Sequence, residues 1–324
     1  MFGLVGCLAA VGAGIAGALP SLDGDNDEPR AGRGPCWRPY SAASPWNTLL
    51  GPAARYDEGR EQYMRELDGE LTSDPTQYTY PVYEIGPRTP VHEVRVHGVY
   101  SNVTARGRVL RIQKGGSVRL PVPAGASGAS GSDAQIVLVN RRTGDEWGAW
   151  RVRREADGRL GITNGYHYNV RWSGVPPRDR SGRPFGSRGA GVPYLAGLVR
   201  ACEIRRGRID HALAFAYAYP SDEFVHPATK SDGAGGPDDL PEGTRLQLDP
   251  QISKAELRDW GCRGPCLTIA TALQRYGMYV VDNSGRAKIM LEFEATAGWN
   301  GWLDDETVSP IPLSAFKVLR EPGP

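Results

Sequence analysis

Net charge is what this chain of 324 residues most lacks: 38 Lys and Arg against 37 Asp and Glu leave +1. Without a basic excess there is no bulk electrostatic hold on nucleic acid or an acidic polymer, so nucleic acid is not an expected partner. Lysine is scarce, confined to Lys114, Lys230, Lys254, Lys288 and Lys317; we read this as a bias of codon usage, without chemical meaning. Zinc-ligand spacing, a P-loop, a dinucleotide fingerprint and a G-x-S-x-G elbow are all missing, so neither a metal nor a cofactor is expected. No repeat of the roughly 20–50 residues typical of solenoids is visible. No Pro/Ser-rich linker divides the body, and helical patterns are few and short.

What is abundant is turn-forming residues, Gly 42 and Pro 26. They separate strand-like runs: "YTYPVYEI", "VHEVRVHGV", "RVLRI", "SVRLPV", "AQIVLV", "EWGAWRVRR", and later "MYVVD" and "AKIMLEFEA". Such spacing predicts a mainly β fold, an antiparallel sandwich of the jelly-roll or lectin type with a few short helices at its edges. The helix–strand order from 193 to 296 keeps an α+β fold as the alternative. Helices are expected in "YDEGREQYMRELDG", in "PYLAGLVRACEIRRG", after the Ser253/Glu256 capping-box pair, and in "PCLTIATALQRYG" between Pro265 and Gly277.

The first 18 residues are apolar and end in Ala16-Gly17-Ala18, the small-x-small pattern of a cleavage site. A basic start is missing, so 1–18 reads as a signal peptide or an N-terminal anchor; "LVGC" also resembles a lipoprotein box. Residues 19–43 read as a flexible linker, and 44–324 as a single β-rich domain. A secreted or cell-surface location follows, with no membrane span after the leader. Beyond the leader four cysteines remain: Cys36, Cys202, Cys262 and Cys266. An even number in an exported chain suggests two disulfides. Cys262 and Cys266 close a small loop at a helix start, which leaves Cys36 for Cys202; a metal or redox pair is the rival, with no histidine nearby in sequence.

Chemistry is concentrated in a few stretches. From His211 every second residue is large, His211, Leu213, Phe215, Tyr217 and Tyr219, and every residue between them is alanine. The alanine face requires close approach by another layer, so the run is a central strand. Its aromatic face is either core or a platform for sugar rings, with the Tyr217 and Tyr219 hydroxyls needing partners if buried. In "GYHYNVRW" His167, Asn169 and Arg171 alternate on one face, and Tyr166, Tyr168, Val170 and Trp172 on the other. A base beside Asn or Arg is what β-elimination needs; a polar solvent face is the plainer reading. In "KIMLEFEAT" Glu292 and Glu294 share a face, an arrangement within reach of glycosidase chemistry. The loop 226–239 holds His226, Lys230, Asp232, Asp238 and Asp239, but without the regular spacing of a calcium loop.

The stretches "SPWN", "GVPYLAGLVR" with "GRIDHALAF", "HPATKSDG", "LPEGTRLQLDP" and "YGMYVVDNSG" resemble a family of exported bacterial proteins. The resemblance implies export and a shared fold, and a possible action on glycans; it hands over no catalytic residues. Where relatives tend to carry Asp followed shortly by His or Met, this chain has Asp133-Ala134-Gln135. The expected function is therefore that of a secreted or surface protein acting on polysaccharide, as hydrolase or lyase. The alternative is a non-catalytic glycan-binding or structural envelope protein. Candidate acid, base or nucleophile groups are His211, His226, Asp133, Tyr168, His167, Glu292 and Glu294. Candidate substrate-binding groups are Asn169, Arg171, Tyr217, Tyr219, Lys230 and Asp232.

Overall fold

The computed structural model describes residues 36–52, 54–66, 69–105, 108–178 and 188–320. The expected leader lies outside them. The first ten strands are β1 (Val82–Glu84), β2 (Val91–Val96), β3 (Ser101–Ala105), β4 (Arg108–Ile112), β5 (Ser117–Pro121), β6 (Ile136–Asn140), β7 (Asp145–Trp150), β8 (Arg153–Arg154), β9 (Leu160–Ile162) and β10 (Asn164–Asn169). Seven follow: β11 (Leu213–Tyr217), β12 (Ser221–Phe224), β13 (Pro241–Glu242), β14 (Arg245–Leu248), β15 (Met278–Asn283), β16 (Lys288–Ile289) and β17 (Phe316–Val318). The helices are α1 (Glu58–Glu66), α2 (Ala201–Arg205), α3 (Lys254–Asp259), α4 (Pro265–Arg275) and α5 (Glu294–Ala297).

The protein is mainly β, as the turn-rich composition predicts. A six-stranded sheet has the order β1-β6-β7-β10-β3-β4, a five-stranded sheet β16-β11-β15-β14-β17, and a four-stranded sheet β5-β2-β9-β8. Pairing is mixed: β1–β6, β10–β3, β2–β9, β11–β15 and β12–β13 run parallel, the others antiparallel.

Period-two alternation explains how these sheets stack. On β11, Leu213, Phe215 and Tyr217 join a core with α3 and α4 residues such as Leu257, Ile269 and Leu273. Ala212, Ala214 and Ala216 face the other way, into a second core with Val137 and Val139 of β6 and Tyr166 and Tyr168 of β10. The opposite face of β6, Ile136 and Leu138, packs with Val94, Val96 and Leu120 of the four-stranded sheet. Helices, five-stranded sheet, six-stranded sheet and four-stranded sheet thus form successive layers, an arrangement that a sandwich fits.

The backbone of β11 also has a close neighbour. Gly197 (φ +71°) lies against it, where a Cβ would sit 2.5 Å from the Ala214 nitrogen. The Ala214 amide donates to the Gly197 carbonyl at 2.9 Å. Only glycine tolerates both that φ and that approach. The "SPWN" stretch serves the same strand: Ser44 caps a short 3-10 turn over Pro45–Asn47, and the Trp46 carbonyl accepts from the Ala212 amide at 2.7 Å.

Both expected disulfides are present, Cys36–Cys202 and Cys262–Cys266. The first anchors a segment assigned above to the linker. Within it Pro39 and Tyr40 are buried, the Tyr40 hydroxyl donating to Glu146 at 2.8 Å. The helix expected from Pro193 is limited to α2. Residues 193–200 are buried throughout and bond outward to neighbouring strands, as in Val199 N–H to Met290 C=O at 3.1 Å. No helix among the described residues is long and apolar enough to cross a membrane.

Candidate functional site

Three carboxylates meet where the C-terminal end of β15 passes β13. Asp282 stands near the end of β15, just beyond an irregularity that sets Phe215 opposite Val280 but Ala216 opposite Asp282. The extra residue on β15 re-aims the side chains that follow, a common device beside functional sites. Glu242 ends β13, which the Gly243 amide ties to the Val280 carbonyl of β15 at 2.7 Å. Asp232 comes from the loop after β12, the same loop that carries Lys230. One oxygen from each of Asp232, Glu242 and Asp282 lies within 4.8 Å of the other two.

The segment beginning at Arg188 closes the group from one side. The Gly189 amide donates to Asp282 Oδ1 at 3.2 Å. Lys230 Nζ donates to the Gly189 carbonyl at 2.6 Å and to the Arg188 carbonyl. Arg188 (φ +39°) is buried and fully engaged, donating from Nε to Tyr80 Oη at 3.2 Å and from its terminal nitrogens to the Ala196 carbonyl at 2.8 Å and the Tyr194 carbonyl at 2.6 Å. A bulky residue held at positive φ is a strained conformation that the surroundings must impose.

The three acids differ in burial: Asp232 is exposed, Asp282 half-buried and Glu242 0% exposed. Burial, then the charges of Asp282 and Asp232, push the Glu242 carboxyl up, and Lys230 only partly offsets them. Burial and Asp232 push Asp282 up in the same way, against Arg188 and Lys230. Neither Glu242 oxygen receives a hydrogen bond, which is rare for a buried carboxylate.

Around this group runs a groove. One cavity of about 470 Å³ is lined by Tyr100, Trp150, Asn164, Lys230 and Asp232 among others. A second of about 500 Å³ holds Asp74, Gln77, Arg286, Lys288 and Asp305. The two share Tyr80, Asp133, Gln135, Asp282 and Asn283, so they adjoin one another along one surface. At the junction Gln135 Nε2 donates to Asp133 Oδ2 at 3.2 Å, while Gln135 Oε1 is buried and unpartnered, as is Asp305 Oδ1 further along. Lys288 Nζ reaches the Gln77 carbonyl at 2.6 Å, and burial pulls its ammonium down.

Three of the residues expected from the sequence therefore lie together: Asp133, Lys230 and Asp232. The others do not join them. His211 is 3% exposed, with Nδ1 on the Ala212 carbonyl at 2.9 Å and Nε2 on Glu203 at 3.0 Å, a core ion pair with no access to substrate. Tyr217 is buried and donates to the Leu240 carbonyl, so the aromatic face of β11 is core; Tyr219 lies past the strand, 70% exposed. His226 is exposed and lines no part of the groove. Tyr168 is buried in the second core.

His167 pairs with Asp145 at 2.9 Å and packs against Trp147. Asn169 bonds the Thr143 carbonyl, and Arg171 lies beyond the end of β10 against the Arg142 carbonyl. Arg171 lines a separate cavity with Trp37, Arg38 and Tyr40. Glu292 and Glu294 do not share a strand face, because β16 stops at Ile289 and α5 starts at Glu294. Glu292 is buried against Arg200 Nε at 2.9 Å, while Glu294 accepts from the Asn300 amide.

Glu242 and Asp282 were the residues missed. Each is a single acid at a strand end, and "LPEG" and "VVDN" were visible only as parts of longer stretches. Comparison with known protein families, with curated proteins and with solved structures found no match.

Proposed function

We propose that the chain is an exported protein that binds and cleaves polysaccharide in the groove centred on Asp133. The adjacency of its two cavities carries this reading: each is of a size that holds one or two sugar rings, and neighbouring cavities along one surface suit a polymer better than a small metabolite. Tyr100 and the face of Trp150 not covered by the Arg151 guanidinium supply flat apolar surfaces on which sugar C–H groups pack. The unpartnered acceptors Gln135 Oε1 and Asp305 Oδ1 suit ligand hydroxyl donors. Asp133, oriented by Gln135, is the groove-wall carboxylate assigned to proton transfer. Two disulfides fit an oxidising compartment, which favours export and the resemblance to exported bacterial proteins.

A panel of neutral and acidic polysaccharides tests the reading. New reducing ends select a hydrolase, and products absorbing in the ultraviolet select a lyase. Asp133→Asn is expected to lower turnover about 100-fold or more while leaving the fold intact. Binding without product selects the non-catalytic glycan-binding alternative, and neither binding nor product on any polymer rejects the proposal.

A further inference from the structure

We propose that Asp232, Glu242 and Asp282 form a binding site for one hard divalent cation of the Ca²⁺, Mg²⁺ or Mn²⁺ class. The inference stands on the trio itself and does not depend on the glycan reading.

The first argument is distance. Calcium–oxygen bonds of about 2.4 Å place two ligands of one ion no more than about 4.8 Å apart. The three carboxylate oxygens already satisfy that limit, at 4.8 Å or less from one another. They come from three separate segments, β13, β15 and the loop after β12, so the convergence is a product of the fold and not of local sequence. An all-carboxylate set selects hard cations over zinc or copper.

The second argument is Glu242, fully buried with neither oxygen receiving a hydrogen bond. A buried carboxylate with no donor costs a fold free energy unless it is held neutral or a cation completes it. Neither neighbouring cation donates to it: Arg188 is spent on Tyr80 and two carbonyls, and Lys230 Nζ, whose charge offsets the burial only in part, on two carbonyls. Among the described residues no salt bridge joins the trio to a basic group.

The third is Gly189. Its φ is not in the left-handed region, so backbone conformation does not demand glycine there. Space does: a Cβ would stand 2.2 Å from Glu242 Oε1 and 2.3 Å from Asp232 Oδ1. Glycine keeps open the spot on which both oxygens converge, while its amide holds Asp282 in place at 3.2 Å.

The test uses the full chain, stripped with a chelator and titrated separately with Ca²⁺, Mg²⁺ and Mn²⁺ by calorimetry, with melting temperature followed in parallel. One ion per chain is expected for at least one of the three, with a rise in melting temperature at saturation. Asp232→Asn changes an exposed ligand and leaves the core alone, and is expected to weaken binding at least tenfold. Asp282→Asn should do the same, whereas Asp238→Asn, in the same loop but outside the trio, should bind as the parent does. No binding of any of the three cations by folded protein, or binding unchanged in Asp232→Asn and Asp282→Asn, overturns the proposal.

Discussion

Glu146 and Glu242 are both glutamates with no exposed surface, and their surroundings are opposite. Glu146, on β7, accepts from Tyr40 Oη at 2.8 Å, from Tyr166 Oη at 2.6 Å and from the Leu195 amide at 3.2 Å. Its donors come from the N-terminal segment, the neighbouring strand β10 and the stretch that crosses to β11, so one carboxylate ties three parts of the molecule together. Glu242 has no donor and two acidic neighbours. A buried carboxylate with donors is structure; one without them stays neutral or takes a cation, as proposed for Glu242.

Substitution separates the two most sharply. Glu146→Leu leaves two hydroxyls and an amide without their acceptor, and hydrogen bonds to a charged group are worth about 1.5–3 kcal/mol each. We expect a loss of roughly 3–5 kcal/mol in chemical denaturation; a loss under about 1 kcal/mol would remove the structural role given to Glu146. Glu242→Gln should move the other way. Its amide can donate to Asp232 and Asp282, so in chelator we expect a gain of about 1 kcal/mol. Saturating divalent cation should reverse that order, raising the parent and not the variant. A destabilised Glu242→Gln in chelator would put Glu242 in the same class as Glu146.

The smallest expected effect concerns a third kind of buried acid, Glu203, which is partnered by a group that titrates. Burial pulls His211 down, but the charge and hydrogen bond of Glu203 and the Ala212 carbonyl outweigh it, so its pKa is raised. A raised histidine contributes stability in full below the ordinary histidine pKa of about 6.5 and loses it as pH climbs through the folded value. Stability should therefore decline from pH 6.5 upward, and His211→Gln should flatten that decline. An unchanged slope in the variant would show that His211 is neutral throughout.

What the sequence showed was local. The alternation from His211 placed two faces of β11 correctly because period two holds whatever the neighbours are. Ser253 and Glu256 cap α3 as their spacing requires, and Cys262 and Cys266 are too close in sequence for their pairing to depend on the rest of the fold. The failures share the opposite property. The apolar run from Pro193 reads as a helix, yet it is buried on all sides, and Gly197 fits it against β11 in a way no helical pattern announces. Glu292 and Glu294 alternate as a strand would, but the strand has already ended. The site itself was legible at Lys230 and Asp232, which one loop gathers, and at Asp133. Asp282 depends on an irregularity in a parallel pair, and Glu242 on a two-residue strand, and neither has a sequence signature.

The Cys36–Cys202 bridge spans 166 residues. In the loop-entropy picture a closure of that size removes about 5 kcal/mol from the freedom of the unfolded chain. It also makes more than half of the chain a covalent ring. A protease that nicks the Gly- and Ser-rich loop at 124–133 opens the ring without releasing a fragment: both ends stay tethered, the sheets keep their partners within reach, and only a reductant sets the pieces free. One cut there is then not a disassembly.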